Sequence, residues 1–166
     1  MGQDGRAVAN FVLDVCDEEG ILVTNLALQK LVYFCHAWHL VEFDEPLIKQ
    51  NFEAWDYGPV LQYLYREFKH CGRSAIRARS KKLNRFSGEQ EIALFEAPKD
   101  KIEFLRKVIG FYGKLSASQL VEISHAEGGP WDKVWNHDGK INPGMRIENA
   151  DIRSYYSTLP RAAKVQ

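Results

Sequence analysis

The five histidines and three cysteines are where chemistry would start in this chain of 166 residues. Cys35, His36 and His39 fall within one helical turn, and His70 adjoins Cys71 further on. Zinc sites set two ligands on one face through Cys-x-x-Cys or His-x-x-x-His spacing. His36 and His39 stand at i and i+3 with no third ligand suitably spaced. They read more simply as two half-buried imidazoles, and no metal is assigned. Nucleophilic catalysis needs a Cys or Ser with a base and an orienting group converging on it. His125 and His137 could act as bases, and Glu122, Glu127 and Asp132 lie near His125 in the sequence. Yet there is no Gly-x-Ser-x-Gly elbow, and no Gly-x-Gly-x-x-Gly or Walker pattern to cradle a phosphate. No catalytic or cofactor-binding residue is assigned, and the expectation is a protein that is not an enzyme. A small hydrolase using His125 is the third-ranked alternative.

Two other features stand out. From Lys69 to Arg85 there are seven cations (Lys69, Arg73, Arg77, Arg79, Lys81, Lys82 and Arg85) and no acid. Such a run can track phosphates, dock an acidic protein surface, or guard the edge of a hairpin against unwanted strand pairing. The second feature is aromatic. Trp55, Tyr57 and Trp131 stand beside the pairs Gly58-Pro59 and Gly129-Pro130, and His36 shares a helix with Trp38. Trp and Tyr commonly pin helix ends by burial with the polar tip bonded.

The elements that must position these residues follow from apolar spacing. Val8, Phe11, Val12 and Val15 predict an amphipathic helix over Ala7–Val15, ended at Gly20. Thr24 is an N-cap with Val23 and Leu28 as its hydrophobic staple. The stripe Leu28, Leu31, Val32, Cys35 and Trp38 is broad enough for a helix packed on several sides. Phe52–Trp55 is a short extended piece. Gly58-Pro59 then predicts a helix start with Pro at N1, running to about His70. Residues 74–96 predict a small antiparallel hairpin around Ser87-Gly88. Helix returns near Pro98 with two apolar rows, Ile102, Leu105, Ile109, Tyr112 and Phe104, Val108, Phe111, Leu115. Ser116–Gln119 is a capping box with Leu115 and Leu120 as its staple, and Gly129-Pro130 opens a short helix through Trp135. Asn149 predicts the cap of a last helix that Pro160 stops. The fold class is α+β, mainly α-helical: a compact bundle of about six helices with a small sheet.

Composition agrees with one folded unit over 1–160 and a frayed tail over 161–166. Apolar residues make up 45% and charged residues 27%, which excludes global disorder. Lys plus Arg and Asp plus Glu are each 22, so no overall charge draws the protein to nucleic acid or lipid. Three cysteines cannot close a disulfide framework. The start Met1–Arg6 has no apolar leader segment and no myristoylation pattern. No run approaches the roughly 18 apolar residues that would span a bilayer. The expected compartment is the cytoplasm.

Three blocks resemble a known family. They are Leu26–Trp38 (LALQKLVYFCHAW), Phe52–Val60 (FEAWDYGPV) followed by Tyr65 and Phe68-Lys69, and Leu120, Ser124-His125, Gly129-Pro130-Trp131 with Ile147, Ile152 and Tyr155-Tyr156. In this order, across residues 7–159, they resemble the Panacea domain, also called the SocA-like antitoxin or phage-associated GepA-like domain. Thr24-Asn25-Leu26 departs from the commoner start of the first block, which touches a helix cap only. The resemblance implies an antitoxin that neutralises a cognate protein toxin by direct contact. In some members it implies handing the toxin to an ATP-dependent protease. It brings no agreed catalytic residues and no cofactor. Leu28, Leu31, Trp38, Ala54, Gly58 and Pro59 are then scaffold. Lys30, Tyr33, His36, Trp55, Asp56, Tyr57, His125 and Trp131 either line a shared partner-binding groove, as hot-spot chemistry favours, or bond to one another and hold the domain shut. The alternative function is a nucleic-acid-binding regulator using Arg73, Arg77, Arg79, Lys81, Lys82 and Arg85. Neither reading fixes the oligomeric state.

Overall fold

The computed structural model of the chain describes residues 2–136 and 145–159. Its axis is one helix. After α1 (Gly5–Glu18), the chain turns through Gly20 at φ 70° and enters α2 (Asn25–Phe43). Thr24 caps α2 by accepting the Ala27 N–H, and the staple residues Val23 and Leu28 are both buried. Every residue from 28 to 40 is buried. A helix covered all round belongs at the centre of a core. α1, α3 (Gln62–Phe68), α4 (Lys99–Tyr112), α5 (Ala117–Ser124) and α7 (Asn149–Ser157) all pack on α2. A short α6 (Pro130–Trp135) lies against the sheet and α7. Among the described residues this makes seven α-helices, with one 3-10 turn at Lys69–Cys71.

The strands form two small antiparallel sheets. β1 (Phe52–Trp55) lies between β2 (Gly58–Val60) and β5 (Arg146–Ile147), and β3 (Lys81–Leu83) pairs with β4 (Gln90–Ile92). The second sheet is the hairpin expected over 74–96.

Three details differ from the sequence reading. Gly58-Pro59 does not open a helix. Trp55 pairs with Gly58 across the turn Asp56-Tyr57, and Gly58 takes φ 106°, a value a helix N-cap does not adopt. Pro59 stands opposite Ala54, between ladder bonds, so its missing N–H breaks no strand bond. The helix therefore starts three residues later, at Gln62. Asn149 is the first residue of α7 instead of its cap, because its side chain bonds inward to His36. Phe111 is exposed and Ile102 only half-buried, so the buried residues of α4 are Leu105, Val108, Ile109 and Tyr112, drawn from both rows.

The remaining starts behave as the spacing implies. Ser116 and Gln119 form a reciprocal capping box, and Pro130 sits at the first turn of α6. The core is aromatic around α2. Phe34 stacks on Tyr112 at 4.2 Å, Trp38 Nε1 donates to the Tyr112 hydroxyl at 2.7 Å, and Tyr33 meets Phe52 and Tyr156 edge-on. No described helix is long and apolar enough to cross a membrane.

Candidate functional site

Because α2 is covered on every side, its polar side chains must find partners inside the protein. Most find one, in a connecting segment or a neighbouring helix, and the buried Tyr33 hydroxyl has none among the described residues. Asn25 Nδ2 donates to the Tyr65 carbonyl at 3.0 Å and its Oδ1 accepts from Gln29 Nε2 at 3.0 Å, while Gln29 Oε1 takes the Leu61 N–H at 3.2 Å. His36 Nδ1 accepts the Ile48 N–H at 3.2 Å, so the proton sits on Nε2 and is donated to Asn149 Oδ1 at 2.8 Å. Burial pulls the His36 imidazole down to about 4 and keeps it neutral. His39 Nδ1 donates to the Glu45 carbonyl at 2.7 Å. The imidazoles that suggested a metal are thus fixed by other bonds. Among the described residues no group of three or more His, Cys, Asp and Glu could hold a metal ion.

Lys30 is the most unusual of these. It is fully buried, and Nζ donates to the Pro59 carbonyl at 2.9 Å. No carboxylate pairs with it among the described residues, and burial alone pulls the amine down to about 7. Its stem packs against Gly58. A Cβ there would lie 2.7 Å from Lys30 Cε and 2.5 Å from Ser124 Oγ, so glycine is needed for this approach as well as for its φ.

Above Gly58 the α5–α6 connection closes the site. Trp131 is buried with its Nε1 donating to the Trp55 carbonyl at 2.8 Å; His125 stacks flat on it at 3.7 Å, and Trp135 lies parallel beyond at 5.7 Å. Burial, then the neighbouring Lys30 charge, lowers the His125 pKa. Trp55 packs on Tyr65 at 5.2 Å, and its Nε1 donates to Glu53 at 3.0 Å. At the turn itself Asp56 is exposed and Tyr57 is 66% exposed.

The eight residues therefore separate by depth. Lys30, Trp55, Asp56, Tyr57, His125 and Trp131 come together around the β1–β2 turn. Tyr33 and His36 lie elsewhere on α2, in the core, against Tyr156 and Asn149. Ser124 donates its hydroxyl to the Val121 carbonyl at 2.7 Å, and His125 Nε2 is buried with no hydrogen-bond partner. These two make no nucleophile–base bond of the kind a hydrolase needs. His137 lies outside the described residues.

The basic stretch is also divided. Arg79 pairs with both Asp14 and Asp17 on α1, whereas Arg73, Arg77, Lys81, Lys82 and Arg85 make no ion pair among the described residues. Asn10 was missed by sequence reasoning, although it had a signal, being a polar residue inside the buried stripe of α1. Ser124 stood beside His125 in the third block but was given no role there.

The family described as antitoxin SocA-like, Panacea domain, matches residues 28–132, which run from the first turn of α2 into the start of α6. Antitoxin SocA of Caulobacter vibrioides (strain NA1000 / CB15N) is 43% identical over 154 residues, covering 92% of this chain and 82% of that protein. No solved structure matches.

Proposed function

Because the chain belongs to the SocA-like antitoxin family with its Panacea domain, we propose that it neutralises a cognate protein toxin by binding it directly, in the cytoplasm. The observation that carries this reading is the 43% identity over nearly the whole chain to an antitoxin. The site supports it in kind. Asp56 and Tyr57 project from a turn whose backbone is held from below by Lys30 and from the side by Trp131. A rigid turn presenting Tyr, beside the exposed edges of Trp55, His125 and Trp135, suits a protein interface, where Tyr and Trp anchor binding at low entropic cost. In this reading Asp56, Tyr57 and the edges of Trp55 and His125 touch the toxin. Lys30, Tyr33, His36 and Trp131 position them from below. Delivery of the bound toxin to an ATP-dependent protease is a further step of the same proposal.

The nucleic-acid reading of the basic stretch has less support. Arg79 is committed to α1, and the remaining cations share their segment with exposed aliphatic side chains.

The test is co-expression with the protein encoded by the adjacent gene. Growth rescue with co-purification of the two proteins is expected, and Tyr57→Ala should weaken both without lowering thermal stability. A neighbour that is not toxic, or toxicity unrelieved by co-expression, would overturn the proposal.

A further inference from the structure

Lys30 sits beneath the β1–β2 turn in a setting that suits an amine better than an ammonium. It is fully buried on the enclosed helix α2, and Nζ makes one hydrogen bond among the described residues, to the Pro59 carbonyl at 2.9 Å. A neutral amine leaves one N–H unbonded there and an ammonium leaves two, so charging the group adds an unsatisfied donor.

The surrounding elements supply no counter-charge. β2 offers only Gly58, Pro59 and Val60. On α5, Ser124 gives its proton to the Val121 carbonyl and Glu122 is exposed. Glu53 on β1 accepts from Trp55 Nε1, and Asp56 stands at the exposed turn. Asp132 on α6 accepts from the Gly128 N–H and from Asn136. Tyr33, one turn along α2, packs on Phe52 and Tyr156. The group that does act on Lys30 is His125, whose protonation the Lys30 charge opposes and whose buried Nε2 also has no partner among the described residues. Two ionisable groups without a counter-ion thus share one desolvated site, and near neutrality the cation it holds is on Lys30, the stronger base.

The half-buried His125, with Trp55 and the Tyr57 turn, forms the solvent side of this site. The antitoxin reading has the toxin bind through that same surface. A partner laid on it takes away the water nearest to Nζ, which raises the cost of the ammonium and leaves the neutral amine untouched. Burial already brings the amine down to about 7, so the free chain has a proton to give up near neutral pH. A complex that binds fewer protons than its free components tightens as pH rises.

We propose that docking of the toxin on this surface drives a proton off Lys30, so that the antitoxin holds its toxin more tightly as pH rises through neutrality. The inference rests on the antitoxin reading and adds to it a proton-linked regulation of the same surface. One N–H bond of the ammonium breaks, its electron pair stays on Nζ, and the proton passes to the buffer. Both forms keep a donor for the Pro59 carbonyl, so the turn keeps its support.

The test uses the purified full chain and the purified toxin encoded beside it, titrated by calorimetry at pH 7 in two buffers of different ionisation enthalpy. About half a proton should be released per complex, since the free amine is about half protonated there. Affinity should rise by up to about tenfold from pH 6 to pH 8. Both effects should vanish in Lys30→Met. A second readout needs no variant. In chain carrying isotope-labelled lysine, the Lys30 Cε resonance should titrate near pH 7 when free and keep its neutral position down to pH 6 in the complex. Equal enthalpies in the two buffers, proton release that survives Lys30→Met, or a Lys30 resonance that titrates alike free and bound would each overturn the inference while the antitoxin reading stands. If the wild-type chain binds the toxin at no pH, the antitoxin reading falls and takes the inference with it.

Discussion

The two hairpins of this protein are built to opposite plans. β1–β2 is clamped on several sides. β5 pairs with β1 on the side away from β2, Lys30 holds the Pro59 carbonyl from inside, Trp131 holds the Trp55 carbonyl from the side, and the turn Asp56-Tyr57 is its exposed part. β3–β4 is anchored only at its base by Asn10 and Glu67, and its strands and tip are exposed. The first plan makes a rigid support whose backbone position is over-determined, and the second makes a projecting surface that contributes little to the core. Partner-binding surfaces gain affinity from such pre-organisation, because less conformational freedom remains to be lost on contact.

The sharpest test of that difference is a matched pair of glycine substitutions. Gly58→Ala combines a positive φ with contacts at 2.5 and 2.7 Å, whereas Gly88→Ala has a positive φ and nothing within 4 Å of the new methyl. Strained backbone costs on the order of 1–3 kcal/mol, and overpacking adds about as much again. Gly58→Ala should therefore lose about 4 kcal/mol by denaturant titration and Gly88→Ala about 1 kcal/mol. Equal losses would break the contrast.

Lys30 gives a pH test of the buried hairpin. The unfolded chain holds this proton up to about pH 10.4, whereas the folded protein gives it up near 7. Between these values the unfolded state binds more protons, so stability rises with pH and the cost of burying the ammonium is largest below pH 7. Wild type should gain on the order of 4 kcal/mol relative to Lys30→Met between pH 7 and pH 10, at about 1.4 kcal/mol per pH unit. A difference that does not vary with pH would contradict burial of this amine.

Asn10→Ala probes the base of the other hairpin. It removes three hydrogen bonds from two buried segments and should cost about 2 kcal/mol. Amide exchange should speed up across β3 and β4 and stay unchanged in β1 and β2. The smallest effect is expected at the tip, where Phe86→Ser should shift stability by no more than about 0.5 kcal/mol, as surface substitutions do.

Much of this was legible in the sequence because local rules decided it. The Thr24 cap, the Ser116–Gln119 box and the Pro130 start each depend on residues within one turn of one another. Gly58-Pro59 carried the same letters as Gly129-Pro130 but became a strand. What decides it is the pairing of Gly58 with Trp55 and the reach of Lys30 from a helix 29 residues away, neither visible in a local window. Asn149 was misplaced for a similar reason, since its partner His36 lies 113 residues earlier. The candidate site was legible as a set of residue types through the three blocks. Its division by depth was not, because burial of Lys30, Tyr33 and His36 follows from α2 being enclosed on all sides.

Amide hydrogen exchange on the free chain and on its complex with the toxin encoded beside it tests the central claim most directly, since it asks at once whether the protein binds and where. Added protection is expected at the Asp56-Tyr57 turn, with the exposed face of α4 unchanged. A stable complex that protects α4 and leaves the Asp56-Tyr57 turn as it is in the free protein would contradict this.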